Sequence, residues 1–397
     1  MDIRQKFSDR VKHLEASAIR EIFKLLAKPG IISFAGGAPA PELFPKDELA
    51  DIARDILLEK GEEALQYGIT EGYVPLRKWV TDRLKKDNIG TENDDYIIVS
   101  GGQQGIALAC KSLINAGDGV VCELPSFIGG LNCFRSYNAE LYGVPLLDDG
   151  IDIDAFEKLL KEHSNIKILY TIATFQNPSG ITASLEKRKK ILELAEKYDF
   201  LIFEDNPYGE LRFSGETVPT MKSMDTNGRV IYFGSFSKIL SPGLRIGFVC
   251  ADKLLMERMV ICKQVSDVHT NVLSQMVAYE FLQRYNIDEH IKKLREVYGR
   301  RCKLMMECMD KYFPKCVKHT CPDGGIFLFC TMPDGYDSRE VMKKALERGV
   351  AFVPGNATMI DDKASYPNFR MNYSNASEEN IEKGIKLLGE VLHEIMD

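Results

Sequence analysis

A lysine set just past an apolar run and among small hydroxyl residues loses part of its hydration, and a partly desolvated amine has a lowered pKa and turns nucleophilic. Lys238 stands in such a place, where Ile231-Tyr232-Phe233 leads into Gly234-Ser235-Phe236-Ser237-Lys238. A lone lysine is ordinarily a solvated surface group, but its neighbours argue otherwise. Arg245, seven positions on and behind Ser241-Pro242-Gly243-Leu244, brings a permanent guanidinium near the amine and the hydroxyls, which reads as a phosphate site. Asp205 follows Leu201-Ile202-Phe203-Glu204, 33 residues before Lys238. A buried carboxylate there needs a cation such as a protonated ring nitrogen, although a helix N-cap uses the same residue type and the residue alone does not separate the two. Ser100-Gly101-Gly102-Gln103-Gln104-Gly105 falls between the apolar run ending at Val99 and a helix expected from Ile106 to Leu113, so its backbone amides can cradle a phosphate. It is not the dinucleotide fingerprint, and no Walker A sequence occurs anywhere in the chain.

The elements that must position these residues have an α/β texture. Short β-rich runs at 96–99, 120–122, 168–170, 201–203 and 230–233 alternate with helical stretches such as Leu185 to Tyr198, the pattern of a mostly parallel sheet flanked by helices. In such sheets ligands bind beyond the carboxyl ends of the strands. Those ends carry Asp205-Asn206-Pro207-Tyr208, Ser235 to Lys238, and Gln176-Asn177-Pro178-Ser179-Gly180. After about residue 275 the sequence changes to long charged helices, a Gly324-Gly325 strand signal, a strand at Arg370-Met371-Asn372-Tyr373 and a closing amphipathic helix from about Ser377. The expected division is an N-terminal arm over 1–45, with a helical piece around Ala18 to Leu26, a large domain over 46–275 and a smaller α+β domain over 276–397 on which the arm packs.

Composition excludes several classes. The chain of 397 residues is 45% hydrophobic, enough for a sizeable core, and its 51 basic against 58 acidic side chains leave a net charge of −7, which argues against nucleic acid as a partner. The start lacks the apolar stretch of a secretory signal and no run is long enough to span a bilayer, so a cytoplasmic protein without a membrane partner is expected. Ten cysteines without a Cys-x-x-Cys pair fit reduced, buried thiols. Cys316, His319 and Cys321 lack the four convergent ligands of a metal site, and no metal is expected.

Taken in order, these segments resemble the fold-type I, class I/II aminotransferases that use pyridoxal 5′-phosphate, in particular the subgroup of 2-aminoadipate, kynurenine and aromatic aminotransferases. The likeness runs from Ser17-Ala18-Ile19-Arg20 and Ile32 to Pro45, through Leu65-Gln66-Tyr67-Gly68, to Arg370-Met371-Asn372-Tyr373. It implies a seven-stranded, mostly parallel sheet in the large domain. It makes Lys238 the Schiff-base lysine and Asp205 the partner of the cofactor's ring nitrogen. Asn177 and Tyr208 would bond the phenolic oxygen, Gly102, Gln103, Ser235, Ser237 and Arg245 would surround the phosphate, and Phe127 would stack on the ring. Tyr67 would reach the phosphate of a neighbouring subunit, implying a homodimer with shared active sites. Arg370 would grip the substrate α-carboxylate with help from Asn177 and Gly37, while Arg20 falls where some members bind an acidic side chain. Three positions depart from the commonest pattern: Gly102 for a serine, Phe127 for a tyrosine and Asn206 for a second acid.

The expected reaction is transfer of the amino group of an L-amino acid (2-aminoadipate, aromatic, branched-chain or glutamate) to a 2-oxo acid such as 2-oxoglutarate. β-Lyases and related enzymes share the fold and much of the constellation. Regulators with an aminotransferase-like domain carry a DNA-binding module ahead of it, for which the residues before Phe34 are too few.

Overall fold

The computed structural model describes residues 3–12 and 30–396. The helix expected around Ala18 to Leu26, and Arg20 with it, lie outside the described residues.

Continuous apolar runs become strands buried on both faces, as a sheet covered on two sides requires. In chain order these are β1 (Ile32–Ser33), β2 (Asp94–Val99), β3 (Gly119–Leu124), β4 (Glu140–Leu147), β5 (Gly150–Ile151), β6 (Ile166–Thr171), β7 (Leu201–Asp205), β8 (Val230–Ser235) and β9 (Gly247–Asp252). The later strands are β10 (Lys318–His319), β11 (Phe327–Thr331), β12 (Val350–Ala351), β13 (Val353–Pro354) and β14 (Asn368–Asn372). The large sheet has the order β2-β9-β8-β7-β6-β3-β4-β5. Strands β4, β3, β6, β7 and β8 pair in parallel, while β9 runs antiparallel to both β8 and β2. The expected sheet of seven mostly parallel strands is therefore present, and the two-residue β5 adds an antiparallel eighth at the edge.

Helices flank this sheet. Leu185–Tyr198 begins where the Ser184 hydroxyl accepts from the Lys187 amide and ends on Asp199 in the left-handed conformation, so both ends are fixed by local sequence. The helix expected from Ile106 starts one turn earlier, at Gly102, because Gly101 adopts φ +84° and turns the chain directly out of the β2 end. Gly102 and Gln103 thus occupy a helix N-terminus rather than the preceding loop.

A second sheet, in the order β10-β11-β14-β13, is antiparallel throughout. Its strand β11 starts at Phe327; the Gly324-Gly325 signal gives only an isolated bridge from Gly324 to Arg212. Strand β1 pairs in parallel with β12, and the Asn372 amide donates to the Phe34 carbonyl at 2.7 Å, so the segment around residue 34 is stitched to this smaller layer. The closing helix Glu378–Met396 packs on Ile287–Tyr312 through an apolar stripe that includes Ile381, Ile385, Leu388 and Leu392. Among the described residues no helix is long and apolar enough to cross a membrane.

Candidate active site

Register decides the first part of the site. Because β7 and β8 pair in parallel with Asp205 opposite Phe233, Asp205 and the chain leading from Ser235 to Lys238 emerge side by side at the carboxyl end of the sheet. The segment after β6 brings Asn177 to the same rim. From the smaller sheet, Arg370 on β14 faces them, held between Phe329 on β11 and Val353 on β13. A cavity of about 280 Å³ lies between the two sheets.

Of the residues singled out from sequence, Gly37, Gly102, Gln103, Phe127, Asn177, Asp205, Tyr208, Ser235, Ser237, Lys238, Arg245 and Arg370 all line this one cavity. Tyr67 does not. It is 82% exposed and packed edge-on against His269 with ring centroids 5.8 Å apart. Sequence reasoning passed over Ile106, Ile128, Ile172, Pro207 and Phe327, which complete the wall. Apolar residues on ordinary elements carry no distinguishing signal. It also passed over Tyr170, whose hydroxyl donates to Asp205 Oδ2 at 2.8 Å. A tyrosine inside a wholly buried strand must find a partner for its hydroxyl, and that signal was available.

The electrostatics are uncompensated in a way that asks for a ligand. Asp205 is 6% exposed and has no cationic partner among the described residues; burial, reinforced by nearby Glu123, pushes its carboxyl up to about 7 against the Tyr170 hydrogen bond that lowers it. Arg370 is buried with neutral partners only among the described residues, donating Nη1 to Asn177 Oδ1 at 2.9 Å and Nη2 to the Ala35 carbonyl at 2.7 Å. Among the described residues its Nε has no partner, and the Phe327 ring covers the guanidinium at 4.2 Å. Burial lowers its pKa to about 10. In the same cavity, Lys238 donates Nζ to the Gly37 carbonyl at 2.5 Å. Burial first, then Arg370 and Arg245, bring its amine down to about 8, so the neutral form is accessible near neutral pH.

At the remaining end, the helix Gly102–Leu113 opens toward the cavity with no side chain capping it. Arg245, left-handed at φ +55°, reaches back to donate to the Ser100 carbonyl at 3.0 Å. The Ser235 and Ser237 hydroxyls stand beside it on the cavity wall. Helix amides, hydroxyls and a guanidinium form an anion cup.

The donor set fits pyridoxal 5′-phosphate: an anion cup for the phosphate, a neutralisable amine for the aldehyde, a buried carboxylate for the ring nitrogen, and Asn177 and Tyr208 for the phenolic oxygen. The Asn177 amide and the Tyr208 hydroxyl lie 3.4 Å apart. Beyond these groups, the buried Arg370 guanidinium on the cavity wall has no anionic partner among the described residues, and a carboxylate is the ligand that would supply one.

Comparison with known proteins leads in the same direction. The family model described as aminotransferase class I and II matches residues 32–388. An aromatic-amino-acid aminotransferase 1 of Thermococcus litoralis is 41% identical, with 100% of this chain and 96% of that protein covered. A 2-aminoadipate transaminase of Thermus thermophilus is 38% identical over 98% of this chain and 96% of its own length. The solved structure of a Pyrococcus horikoshii kynurenine aminotransferase in complex with PMP, 40% identical, superposes with a TM-score of 0.95 and covers 100% of this chain and 99% of that one.

Proposed function

Since the chain belongs to the class I and II aminotransferases, moving amino groups with pyridoxal 5′-phosphate as cofactor, we propose that Lys238, Asp205 and Arg370 carry its reaction within the cavity between the two sheets. The observation that supports this most directly is that a low-pKa amine, a buried carboxylate and a buried guanidinium line one cavity, the last two without a counter-ion among the described residues.

The bound cofactor supplies an aldehyde that links to an amine and a ring that accepts the electron pair released at the donor's Cα. Everything else falls to the protein. Arg370 would hold the donor's α-carboxylate in its planar fork, with Asn177 and the backbone at Gly37 beside it, and so fix how the donor's Cα is presented. Lys238 tethers the cofactor between turnovers. Once displaced by the donor's amine, it is the base that takes the Cα proton and the acid that returns it at C4′. Asp205 keeps the ring nitrogen protonated by facing it with a negative charge. Gly102, Gln103, Ser235, Ser237 and Arg245 hold the phosphate, Asn177 and Tyr208 the phenolic oxygen, and Phe127 packs against the ring.

Two copies complete the enzyme in this reading. Leu65, Tyr67, Ile69, Val265 and Val268 are exposed large apolar residues, 75%, 82%, 52%, 72% and 47% respectively, which supports a homodimer in which Tyr67 serves the partner's phosphate. The three-part division at residues 45 and 275 belongs to the same proposal, supported by the pairing of β1 with β12. Free, mostly buried thiols support a cytoplasmic setting, and the net charge of −7 argues against nucleic acid.

The donor proposed is an aromatic amino acid, 2-aminoadipate, a branched-chain amino acid or glutamate, with 2-oxoglutarate as acceptor, on the strength of the relatives' names and the residue pattern. Arg20, outside the described residues, is the candidate for an acidic side chain. A panel of amino acids mixed with the holoenzyme tests this, scored by the rate at which pyridoxamine phosphate forms and by its reversal with 2-oxoglutarate. Faster reaction of acidic donors, lost selectively in Arg20→Ala, assigns that arginine. Release of ammonia in place of amino transfer would overturn the proposed chemistry.

A further inference from the structure

Tyr170 sits on β6, in register with Phe203 of β7 and Cys122 of β3, and is fully buried. Its ring is boxed. Phe134 meets it at 5.3 Å between centroids, and a Cβ on Gly130 would lie 2.9 Å from its Cε1 and 3.0 Å from its Cζ. A side chain at position 130 would press on the ring whose hydroxyl donates to Asp205 Oδ2 at 2.8 Å.

Asp205 is pulled two ways. Glu123 on β3 is buried without a cation among the described residues, held by Thr171 Oγ1 at 2.5 Å, Gln176 Nε2 at 3.0 Å and the Ile172 amide at 3.3 Å. Burial and the Glu123 carboxylate favour a proton on Asp205, while the Tyr170 hydroxyl favours its anion. Burial and the charge of Asp205 push the Tyr170 phenol well above its usual range, so it stays a donor. The other titratable groups near Asp205 are the Tyr208 hydroxyl, the Cys122 thiol beside Tyr170, and Lys238 and Arg370 across the cavity.

We propose that Tyr170 is a positioning residue acting through Asp205: by occupying Oδ2 it keeps the carboxylate anionic and its other oxygen aimed into the cavity, so that the shared proton stays on the cofactor's ring nitrogen. This rests on the role given to Asp205 above. Without the hydroxyl, Asp205 becomes the better base, the proton settles on the carboxylate, and the ring loses the charge that draws electrons from Cα.

The test is Tyr170→Phe in the holoenzyme loaded with pyridoxal 5′-phosphate labelled with nitrogen-15 in the ring, whose chemical shift reads where the proton resides. A hydrogen bond to a charged group is strong enough to move that partition toward Asp205 by about tenfold. The expected result is a signal displaced toward the neutral-nitrogen position, with a half-reaction slowed by about the same factor and an unchanged KM. Gly130→Ala keeps the hydroxyl but presses on the ring, and gives a smaller displacement in the same direction; it serves in place of Tyr170→Phe if that variant does not fold. A signal as in wild type, in whichever of the two variants folds, overturns the proposal. Asp205→Ala separates the layers: if its ring nitrogen stays protonated as in wild type, the role of Asp205 itself is wrong; if it alone changes, only the role of Tyr170 is.

Discussion

At Lys238 the fold does with burial and two guanidiniums what an isolated lysine in water cannot, bringing an ammonium down to about 8. Removing the amine by Lys238→Ala takes away both tether and proton carrier. Steady-state transamination should fall by at least ~10⁴-fold, the top of the range for one positioned acid–base group, together with the visible absorbance of the lysine-linked cofactor. Retained turnover would sink the assignment. Asp205 makes a separate prediction about stability. Its carboxyl titrates at 3.8 in the open chain and about 7 in the fold, so between those values the cofactor-free folded chain binds more protons and its stability falls as pH rises. Three pH units correspond to ~4 kcal/mol at most. Urea titrations of cofactor-free wild type and Asp205→Asn should therefore agree near pH 3.5 and diverge in favour of the variant by pH 7. Added pyridoxal 5′-phosphate, which brings the missing cation, should close the gap; parallel curves at every pH would show that Asp205 is not the titrating group.

At the scale of elements, the site depends on strand register and on one turn that only glycine takes readily. The parallel register of β7 and β8 sets Asp205 beside the Lys238 segment, and the antiparallel β9 returns from Arg245 to close the anion cup. Gly101 joins β2 to its helix at φ +84° and ψ 161°, a region open in practice to glycine alone. A Cβ there would also lie 2.2 Å from Arg245 Nη2. Gly101→Ala is thus expected to lose on the order of 2 kcal/mol of stability, measurable by chemical denaturation. It should weaken cofactor binding as well, since the guanidinium is displaced from the cup. Unchanged cofactor affinity would mean that Arg245 does not hold the phosphate.

For the whole molecule the question is where the active site ends. Twelve of the residues chosen from sequence meet in one cavity, and Tyr67 stands outside it on an exposed apolar surface. If two copies share their sites, Lys238→Ala and Tyr67→Ala chains that are each impaired should complement when mixed and re-formed. The hybrid pairs an intact Lys238 from one chain with an intact Tyr67 from the other and so regains one working site. Mixtures no more active than the sum of their parents would place Tyr67 outside the neighbour's chemistry.

The sequence by itself determined the alternation of strands and helices, the helix Leu185–Tyr198, and the chemical identity of the anchors. Lys238, Asp205, Asn177 and Arg370 each follow or sit in a short apolar run, where local pattern carries the information. Strand ends were legible to within a residue or two. The Gly101 turn was not, because a positive φ is a property of the path between two elements rather than of the glycine. Tertiary structure alone decided which faces meet: that Arg370, 132 positions after Lys238 in the chain, lies across the same cavity, that Phe327 covers its guanidinium, and that Tyr170 aims at Asp205. Those contacts come from strand order and from the packing of two sheets, which join residues far apart in sequence and leave no periodic trace in it.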